Sequence, residues 1–223
     1  MSHRITGRLP SGKYKEWLQQ SPNYRNGAFQ NLSLTAMKPE GVTYWKMMRE
    51  FFKKHPDTSP PAAIPFVKTD LKQLNSTGPV LVWFGHSSYF IRIDHKNFLI
   101  DPVFSGNAAP LSFMVKAFPG TNNFGTDDMP PIDYLILTHD HYDHLDFKTI
   151  RGLKKKIRSV FCSLGVGAHL RYWGIDGGII TEMDWWQNEE LNDNIVLTAA
   201  PARHFSGRGL KRGQSLWSSF ILR

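Results

Sequence analysis

The sequence predicts an α+β fold, and three observations support this class. Three strand-like runs follow one another closely between residues 80 and 101, which is typical of consecutive antiparallel strands. Beyond residue 131, short apolar runs alternate with amphipathic segments of helical spacing. A chain of 223 residues with 41% apolar content can also form one substantial hydrophobic core. We therefore expect an N-terminal extension over residues 1–75 and one main domain over residues 76–223.

The N-terminal extension contains one strong secondary-structure signal. Residues 1–40 are rich in Gly, Pro, Asn and Ser, and we expect an extended arm with short turns. A helix capped by Thr43 is predicted next, with an apolar face and a charged face: Tyr44, Trp45, Met48, Phe51 and Phe52 against Lys46, Arg49, Glu50, Lys53 and Lys54. We expect this helix to pack on the domain, and the alternative is a helix that lies on a membrane surface. Four prolines between residues 56 and 65 indicate a linker.

The main domain begins with strands. We expect strands over residues 80–84, 89–93 and 98–101, joined by polar turns. The long segment that follows, 105–131, is irregular and bounded by prolines. Aromatic residues in and beside it either form an apolar wall of a binding site or only cover the sheet: Phe104, Phe113, Phe118 and Phe124.

One stretch combines a buried strand with metal-binding chemistry. Residues 134–146 read Tyr-Leu-Ile-Leu-Thr-His-Asp-His-Tyr-Asp-His-Leu-Asp. His139, His141 and Asp143 would face one side of an extended backbone, whereas His144 has the opposite parity. The loop must therefore bend at Asp143. One interpretation is two metal positions, with His139 and His141 at the first and the last two ligands at the second; the alternative is a polar turn in solvent. Two metals about 3.5–4 Å apart can hold a bridging hydroxide as nucleophile.

The remaining elements follow this loop. Asp146 can cap a helix that extends through Lys156, with a buried stripe formed by Phe147, Ile150, Leu153 and Ile157. Cys162 lies in a strand-like run and should be buried, since a single cysteine cannot form an internal disulfide. Residues 168–173 are helix-like, and we expect His169 on the helix surface. A strand over residues 195–198 leads to His204.

These segments resemble the metallo-β-lactamase superfamily, whose signature is the His-x-His-x-Asp-His loop. The order of the segments is similar to one branch, the N-acyl-phosphatidylethanolamine-hydrolysing phospholipases D and their bacterial relatives. The resemblance covers roughly residues 20–223 and rests on six segments: 83–88, 99–105, 138–146, 164–170, 182–186 and 201–210. It implies a metallo-β-lactamase-type αββα sandwich and a zinc-dependent hydrolase that uses two zinc ions in the complete fold.

The resemblance also implies roles for individual residues. The first metal would be bound by His139, His141 and His204, and the second by Asp143 and His144, with Asp143 as the catalytic residue. Two further residues would lie near the metals and orient their ligands: His86 and Asp101. Positive charge around His204 would suit an anionic phosphate ester as substrate. Arg208 would contact this substrate, and Arg203, Lys211 and Arg212 would add to the positive charge. Glu182 and Asp184 either lie near the metals or are polar groups of a turn.

The sequence departs from this branch at its C-terminal end. The branch continues with a Gly-Asp turn whose aspartate bridges both metals, and later with a final histidine, and neither precedes Arg223. We therefore expect only the first half of the sandwich. We also expect that this chain alone binds the second metal poorly and hydrolyses substrate slowly.

Charge narrows the class of partner. The net charge is +8, with ten Lys/Arg against four Asp/Glu over residues 1–60 and five against none over residues 201–223. Phosphate esters, phospholipids and anionic membrane surfaces would be attracted by this positive charge. The basic residues do not form a recognisable DNA-recognition helix or RNA-binding surface, so we expect no nucleic-acid partner. We find no signal-peptide or membrane-span pattern and expect a cytoplasmic protein, with association at a membrane surface as the alternative. The predicted function is a phospholipase D-like phosphodiesterase; the alternatives are a lactonase of phosphosugar lactones or an inactive, metal-poor fragment.

Overall fold

The computed structural model describes residues 2–36, 39–53, 57–111, 113–121, 123–192 and 194–223, with only the backbone for Ser2 and His3. Its helices are α1 (Ser2–Ile5), α2 (Gly12–Leu18), α3 (Tyr44–Phe51), α4 (Phe147–Leu153) and α5 (Gly167–Tyr172). Its strands are β1 (Tyr24–Arg25), β2 (Ala28–Phe29), β3 (Val80–Gly85), β4 (Ser88–Ile93), β5 (Lys96–Ile100), β6 (Ile132–Leu137), β7 (Ile157–Ser163), β8 (Ile180–Met183), β9 (Asn188–Asn192), β10 (Ile195–Pro201) and β11 (Ser218–Leu222).

Two sheets form the centre of the domain. The larger has the strand order β3-β4-β5-β6-β7-β8, in which β3, β4 and β5 are antiparallel neighbours and the pairs from β5 to β8 are parallel. The smaller sheet has the order β11-β10-β9 and is antiparallel. The predicted α+β class and the three consecutive antiparallel strands are therefore confirmed.

The buried strand β6 shows why the two sheets stack. Leu135 and Leu137 belong to the core on the helical side of the larger sheet, together with Ile150 of α4 and Leu170 of α5. Ile136, which has the opposite parity, joins the core shared with the smaller sheet. A strand with both faces covered is apolar at successive positions, and this is the pattern that the sequence shows. The described layers are thus helices, large sheet and small sheet.

The N-terminal arm is folded onto the domain, which differs from the extended arm that we predicted. Leu18 of α2 and Phe29 of the hairpin β1–β2 are buried against Trp185 and Trp217. The Phe29 amide also donates to the carbonyl of Gly213 at 2.8 Å. The arm is attached by a few apolar side chains that are far apart in the sequence and by isolated hydrogen bonds. Such contacts leave no periodic hydrophobic pattern in the sequence, so they could not be predicted from it. The domain division at residue 75 remains a prediction.

The predicted amphipathic helix is present as α3. Its cap is confirmed, because Thr43 Oγ1 accepts a hydrogen bond from the Lys46 amide at 3.2 Å. The expectation that it packs on the domain is wrong for the residues described: none of its side chains is buried, and Trp45 and Phe51 are 80% and 78% exposed. Lys54 and Pro56, which belonged to the predicted helix face and linker, lie outside the described residues.

Helix α4 is shorter than predicted. Asp146 caps it by accepting from the Lys148 amide, but the helix ends at Leu153 rather than Lys156. Ile157 is the first residue of β7, where it pairs with Ile132 of β6. Strand pairing therefore overrides the helical spacing of Ile157. None of the helices in the described ranges is long and apolar enough to cross a bilayer.

Candidate metal centre

The loop after β6 carries a group of histidines to one end of the larger sheet. The amides of His144 and Leu145 both donate to the carbonyl of His141, at 3.1 and 2.8 Å. The backbone therefore turns between His141 and His144, which is the bend that the parity of the motif predicted at Asp143. Because of this turn, side chains of both parities reach the same end of the sheet.

Three imidazole nitrogens converge at this end. His139 Nε2 lies 3.0 Å from His141 Nδ1 and 3.1 Å from His204 Nε2. His204 Nε2 lies 3.3 Å from His141 Nδ1. Nitrogens that bind one zinc ion tetrahedrally at about 2.0–2.1 Å lie about 3.3 Å apart, so these three fit a single ion. The structure thus brings together the loop near residue 140 and the end of β10, as the sequence predicted.

The three histidines are also in the protonation state that a metal requires. Burial, followed by the neighbouring His144, His141 and His204, lowers the pKa of His139 to about 2. Burial is also the main cause that lowers the pKa of His141 and of His204. Thr138 Oγ1 lies 2.9 Å from His139 Nδ1, which leaves Nε2 directed at the other two rings. Neutral imidazoles with free lone pairs face one another here, and such a group favours a cation at its centre.

A second group of possible ligands lies beside the first. Asp143 Oδ2 is 2.9 Å from His86 Nε2 and 3.8 Å from His144 Nε2. The rings of His144 and His139 are 4.0 Å apart, so the two groups are adjacent. Among the described residues, these are the two clusters that could hold a metal ion. His86, which we expected only to orient ligands, offers a ligand atom of its own.

Asp101 orients His144, a member of the second group, through a hydrogen bond to its ring. It is 1% exposed and follows β5 with a left-handed φ of 41°. Its Oδ2 lies 2.7 Å from His144 Nδ1 and accepts from Thr138 Oγ1 at 2.6 Å, while its Oδ1 accepts from the Thr138 amide at 2.8 Å. The proton of His144 is therefore on Nδ1, and Nε2 faces Asp143. Burial lowers the pKa of His144, but the hydrogen bond and charge of Asp101 outweigh burial, and the net pKa is raised.

The position of His204 depends on a residue of the N-terminal arm. Asn31 Oδ1 accepts from the His204 amide at 3.1 Å, and Asn31 Nδ2 donates to the His204 carbonyl at 2.8 Å. The indole of Trp217 also donates to Asn31 Oδ1 at 3.1 Å. We did not single out Asn31 from the sequence, since a lone asparagine in a polar arm gives no signal.

Arg208 does not have the role that we predicted. It is 6% exposed, and its Nη1 donates to the carbonyls of Asp140 and Leu145 at 2.8 and 2.7 Å. Its guanidinium lies 3.9 Å from the ring centroid of Tyr142. The predicted substrate contact is therefore replaced by a structural one. Arg203 instead lines the groove at the metal centre.

The surface position predicted for His169 is also wrong. The side chain is 1% exposed, and its Nε2 lies 3.4 Å from Oδ2 of Asp140, the residue between the first two histidines of the motif. Burial raises the pKa of Asp140, but His169, the Gly207 amide and Arg208 together outweigh it and lower the net pKa. Burial is the main cause that lowers the pKa of His169.

The two acids of the segment 182–186 have structural partners. Glu182 binds Nη1 of Arg171 at 2.7 Å and also accepts from the hydroxyl of Tyr14. Asp184 accepts from Nδ2 of Asn23 at 2.7 Å. Both contacts attach the N-terminal arm or α5 to β8, and neither acid belongs to a metal-ligand cluster.

A groove of about 690 Å³ opens over the metal-ligand groups. Its lining includes His86, His139, His144, His204 and Trp217. The aromatic residues of the segment 105–131 and its edge divide into two sets. Phe104 and Phe124 pack on Phe84 in the core, at 5.3 and 4.7 Å between ring centroids, whereas Phe113 and Phe118 are exposed. Phe118 lines a neighbouring apolar groove that also reaches Asp143.

Comparison with known proteins gives three relevant relatives. An uncharacterized protein of Mycobacterium tuberculosis is 36% identical over 208 residues, which is 91% of this chain and 55% of that protein. N-acyl-phosphatidylethanolamine-hydrolyzing phospholipase D 1 of Caenorhabditis elegans is 31% identical over 158 residues, which is 66% of this chain and 44% of that protein. The crystal structure of CmlA, a diiron beta-hydroxylase from Streptomyces venezuelae, aligns with a TM-score of 0.48 at 25% identity, over 66% of this chain and 27% of that chain.

The family model described as beta-lactamase superfamily domain matches residues 96–223, which is more than half of the chain. The chain spans about half the length of the curated relatives it matches. The matched residues include the loop after β6 and the segment with His204, whereas His86, β3 and β4 precede the match. The chain therefore belongs to the beta-lactamase superfamily.

Proposed function

We propose that this chain carries the metal centre of a zinc-dependent phosphodiesterase that acts on phospholipids of the N-acyl-phosphatidylethanolamine type. The observation that carries the proposal is the pair of adjacent ligand clusters, four of whose histidines line an open groove. The name of the C. elegans relative supports the substrate class, and the Arg203 side chain in the groove suits an anionic phosphodiester.

Different residues of the centre would bind the cations and orient the attacking water. His139, His141 and His204 would hold one cation, and the cluster of Asp143, His144 and His86 would hold the other. Bound cations of this kind supply Lewis acidity and lower the pKa of a nearby water. Asp143 has a second carboxylate oxygen that can accept a hydrogen bond from the attacking water and orient it. The hydrogen bond to Asp101 places the proton of the neutral His144 ring on Nδ1, which leaves Nε2 free to bind a cation.

The test compares metal content and hydrolysis of the zinc-loaded native chain with those of two variants. We expect slow but measurable hydrolysis of N-acyl-phosphatidylethanolamine by the native chain, and loss of that hydrolysis in Asp143→Asn. The matched control is Asp133→Asn, because Asp133 lies on β6, the strand that precedes the metal loop, and its carboxylate contacts the Asn97 amide instead of a histidine.

Two outcomes would overturn this proposal. Faster opening of a phosphosugar lactone than hydrolysis of the phospholipid would favour a lactonase. Zinc content near zero, with neither reaction above the Asp143→Asn background, would favour an inactive fragment.

We also propose that α3 contacts an anionic membrane surface. Aromatic and sulfur-containing side chains of this helix are exposed beside Lys46, Arg49 and Lys53, and this combination suits the boundary between acyl chains and anionic headgroups. Since α3 has no buried side chain, its residues can be replaced without loss of core packing.

Vesicle sedimentation tests this contact. The double variant Trp45→Ala/Phe52→Ala should bind vesicles containing about 30% anionic lipid at least several-fold more weakly than the native chain. The control Trp186→Ala removes another exposed indole, outside α3, and should bind like the native chain. Equal binding by all three proteins, or equal binding to uncharged vesicles, would contradict the proposal.

A further inference from the structure

The first residues of the chain complete a buried polar network beneath the metal loop. The Arg8 amide donates to His169 Nδ1 at 3.0 Å. This bond places the proton of the neutral imidazole on Nε2, which faces Oδ2 of Asp140 at 3.4 Å. His169 and Asp140 are each 1% exposed, and within the described residues His169 Nε2 and Asp140 Oδ2 form no hydrogen bond, so their contact at 3.4 Å is an electrostatic one.

Arg208 extends the same network. While its Nη1 holds the carbonyls of Asp140 and Leu145, its Nη2 donates to the Ile5 carbonyl at 2.8 Å and its Nε to the Thr6 carbonyl at 3.2 Å. The indole of Trp173 donates to the Arg4 carbonyl at 2.7 Å. Three carbonyls and one amide of the N-terminal segment, those of Arg4, Ile5, Thr6 and Arg8, are thus partners of buried side chains in the domain.

The network joins the two loops that carry the histidines. Asp140 lies between His139 and His141, and its Oδ1 accepts from the Gly207 amide at 2.7 Å. Gly207 follows His204 by three residues. A displacement of Asp140 would therefore change the spacing between His204 and the other two histidines.

Gly7 shows how tightly the segment fits. Its φ is 76°, and a Cβ at this position would lie 2.1 Å from His169 Nδ1. Any larger residue must displace the buried imidazole. Gly12 provides a comparison, because its φ is also left-handed, at 55°, but a Cβ there would meet nothing within 4 Å.

We infer that the segment from Arg4 to Arg8 is a latch that positions the three metal-binding histidines by fixing Asp140 through His169 and Arg208. The inference rests on the proposed metal site and adds a positioning role for residues outside it. Metal affinity should then depend on the latch, and by linkage a bound metal should stabilise the latch.

The matched variants Gly7→Ala and Gly12→Ala test the latch. Both place alanine in a left-handed conformation at similar cost, but only Gly7→Ala displaces His169. Zinc affinity is measured by competition with a chromophoric chelator, and Tm is measured on the metal-free proteins. We expect zinc binding about 10-fold or more weaker in Gly7→Ala than in Gly12→Ala, as for other residues that support metal ligands.

A role in folding alone would lower the Tm of Gly7→Ala and leave the zinc affinity of the folded protein equal to that of Gly12→Ala, and this result would overturn the inference. If Gly7→Ala does not fold, His169→Gln replaces it, since glutamine keeps a donor toward Asp140 but loses the acceptor for Arg8. Hydrogen exchange of the native chain is the second measurement: zinc should slow exchange of the Arg8 amide, and unchanged exchange would also count against the latch. Failure of the native chain to bind zinc would instead contradict the proposed function.

Discussion

Replacement of Asp101 by asparagine should weaken metal binding without removing a ligand. The carboxylate now faces three donors, the Thr138 amide, the Thr138 hydroxyl and His144 Nδ1, within 2.6–2.8 Å. Asparagine keeps one acceptor for the Thr138 amide and places an NH₂ group where Oδ2 was. His144 Nδ1 must then accept, so that the ring proton moves to Nε2, the nitrogen that faces Asp143.

The magnitude follows from these contacts. A metal ion would have to displace the Nε2 proton of His144, and loss of such a supporting hydrogen bond typically weakens metal binding by about 10–100-fold. If the mismatch is not relieved by the tautomer change, an unsatisfied buried donor costs about 1–3 kcal/mol of stability. The assay is a zinc titration with a competing chelator, with Asp133→Asn as the control. Two-site zinc binding by Asp101→Asn with native affinity would refute the reasoning, even if the Tm fell.

Four further predictions concern the same centre and its support. His86→Ala should weaken zinc binding at the cluster with Asp143, as measured by metal content after dialysis, whereas His95→Ala, at the turn between β4 and β5, should not. As the pH falls, zinc should leave the cluster with His144 before it leaves the three-histidine cluster. Burial lowers the pKa of His144, but Asp101 outweighs burial and raises the net pKa, whereas burial lowers the pKa of His139, His141 and His204; simultaneous release would contradict this order. Asn31→Ala removes both hydrogen bonds to the His204 backbone and should lower zinc affinity more than Asn26→Ala does in the same titration. Leu135→Ala should cost about 2–5 kcal/mol in urea unfolding, because Leu135 is fully buried; a change below the smaller value would show that the core collapses around the cavity.

The strands and the metal loop were predictable because short-range patterns specify them. Continuous apolar residues in β6 reflect burial on both faces, and the alternation of His139, His141 and Asp143 follows from backbone geometry. The convergence of His204 on this loop came from the resemblance to a known family, since spacing alone does not relate residues 65 positions apart.

The errors share a physical cause, which is that tertiary partners decide burial. Helix α3 has the amphipathic pattern of a packed helix, yet the pattern does not state whether a partner is present. Arg208 belongs to a basic stretch that suggested a surface, but Tyr142, Trp173 and four carbonyl groups enclose it. His169 was assigned to a helix surface because nothing near it in sequence indicates the Arg8 amide or Asp140.

The distance between His204 and the other two histidines is fixed by contacts outside the His-x-His-x-Asp-His motif. His139 and His141 follow β6, His204 follows β10, and these strands belong to different sheets, so no shared backbone ladder fixes their separation. Polar side chains from elsewhere supply the restraint: Asn31 holds the backbone of His204, and Asp140 reaches the loop after His204. Both depend on the N-terminal arm, whose described side chains belong to neither metal-ligand cluster. Transfer of the His-x-His-x-Asp-His loop without this N-terminal arm should therefore reproduce the ligand set but not the 3.0–3.3 Å spacing on which a shared cation depends.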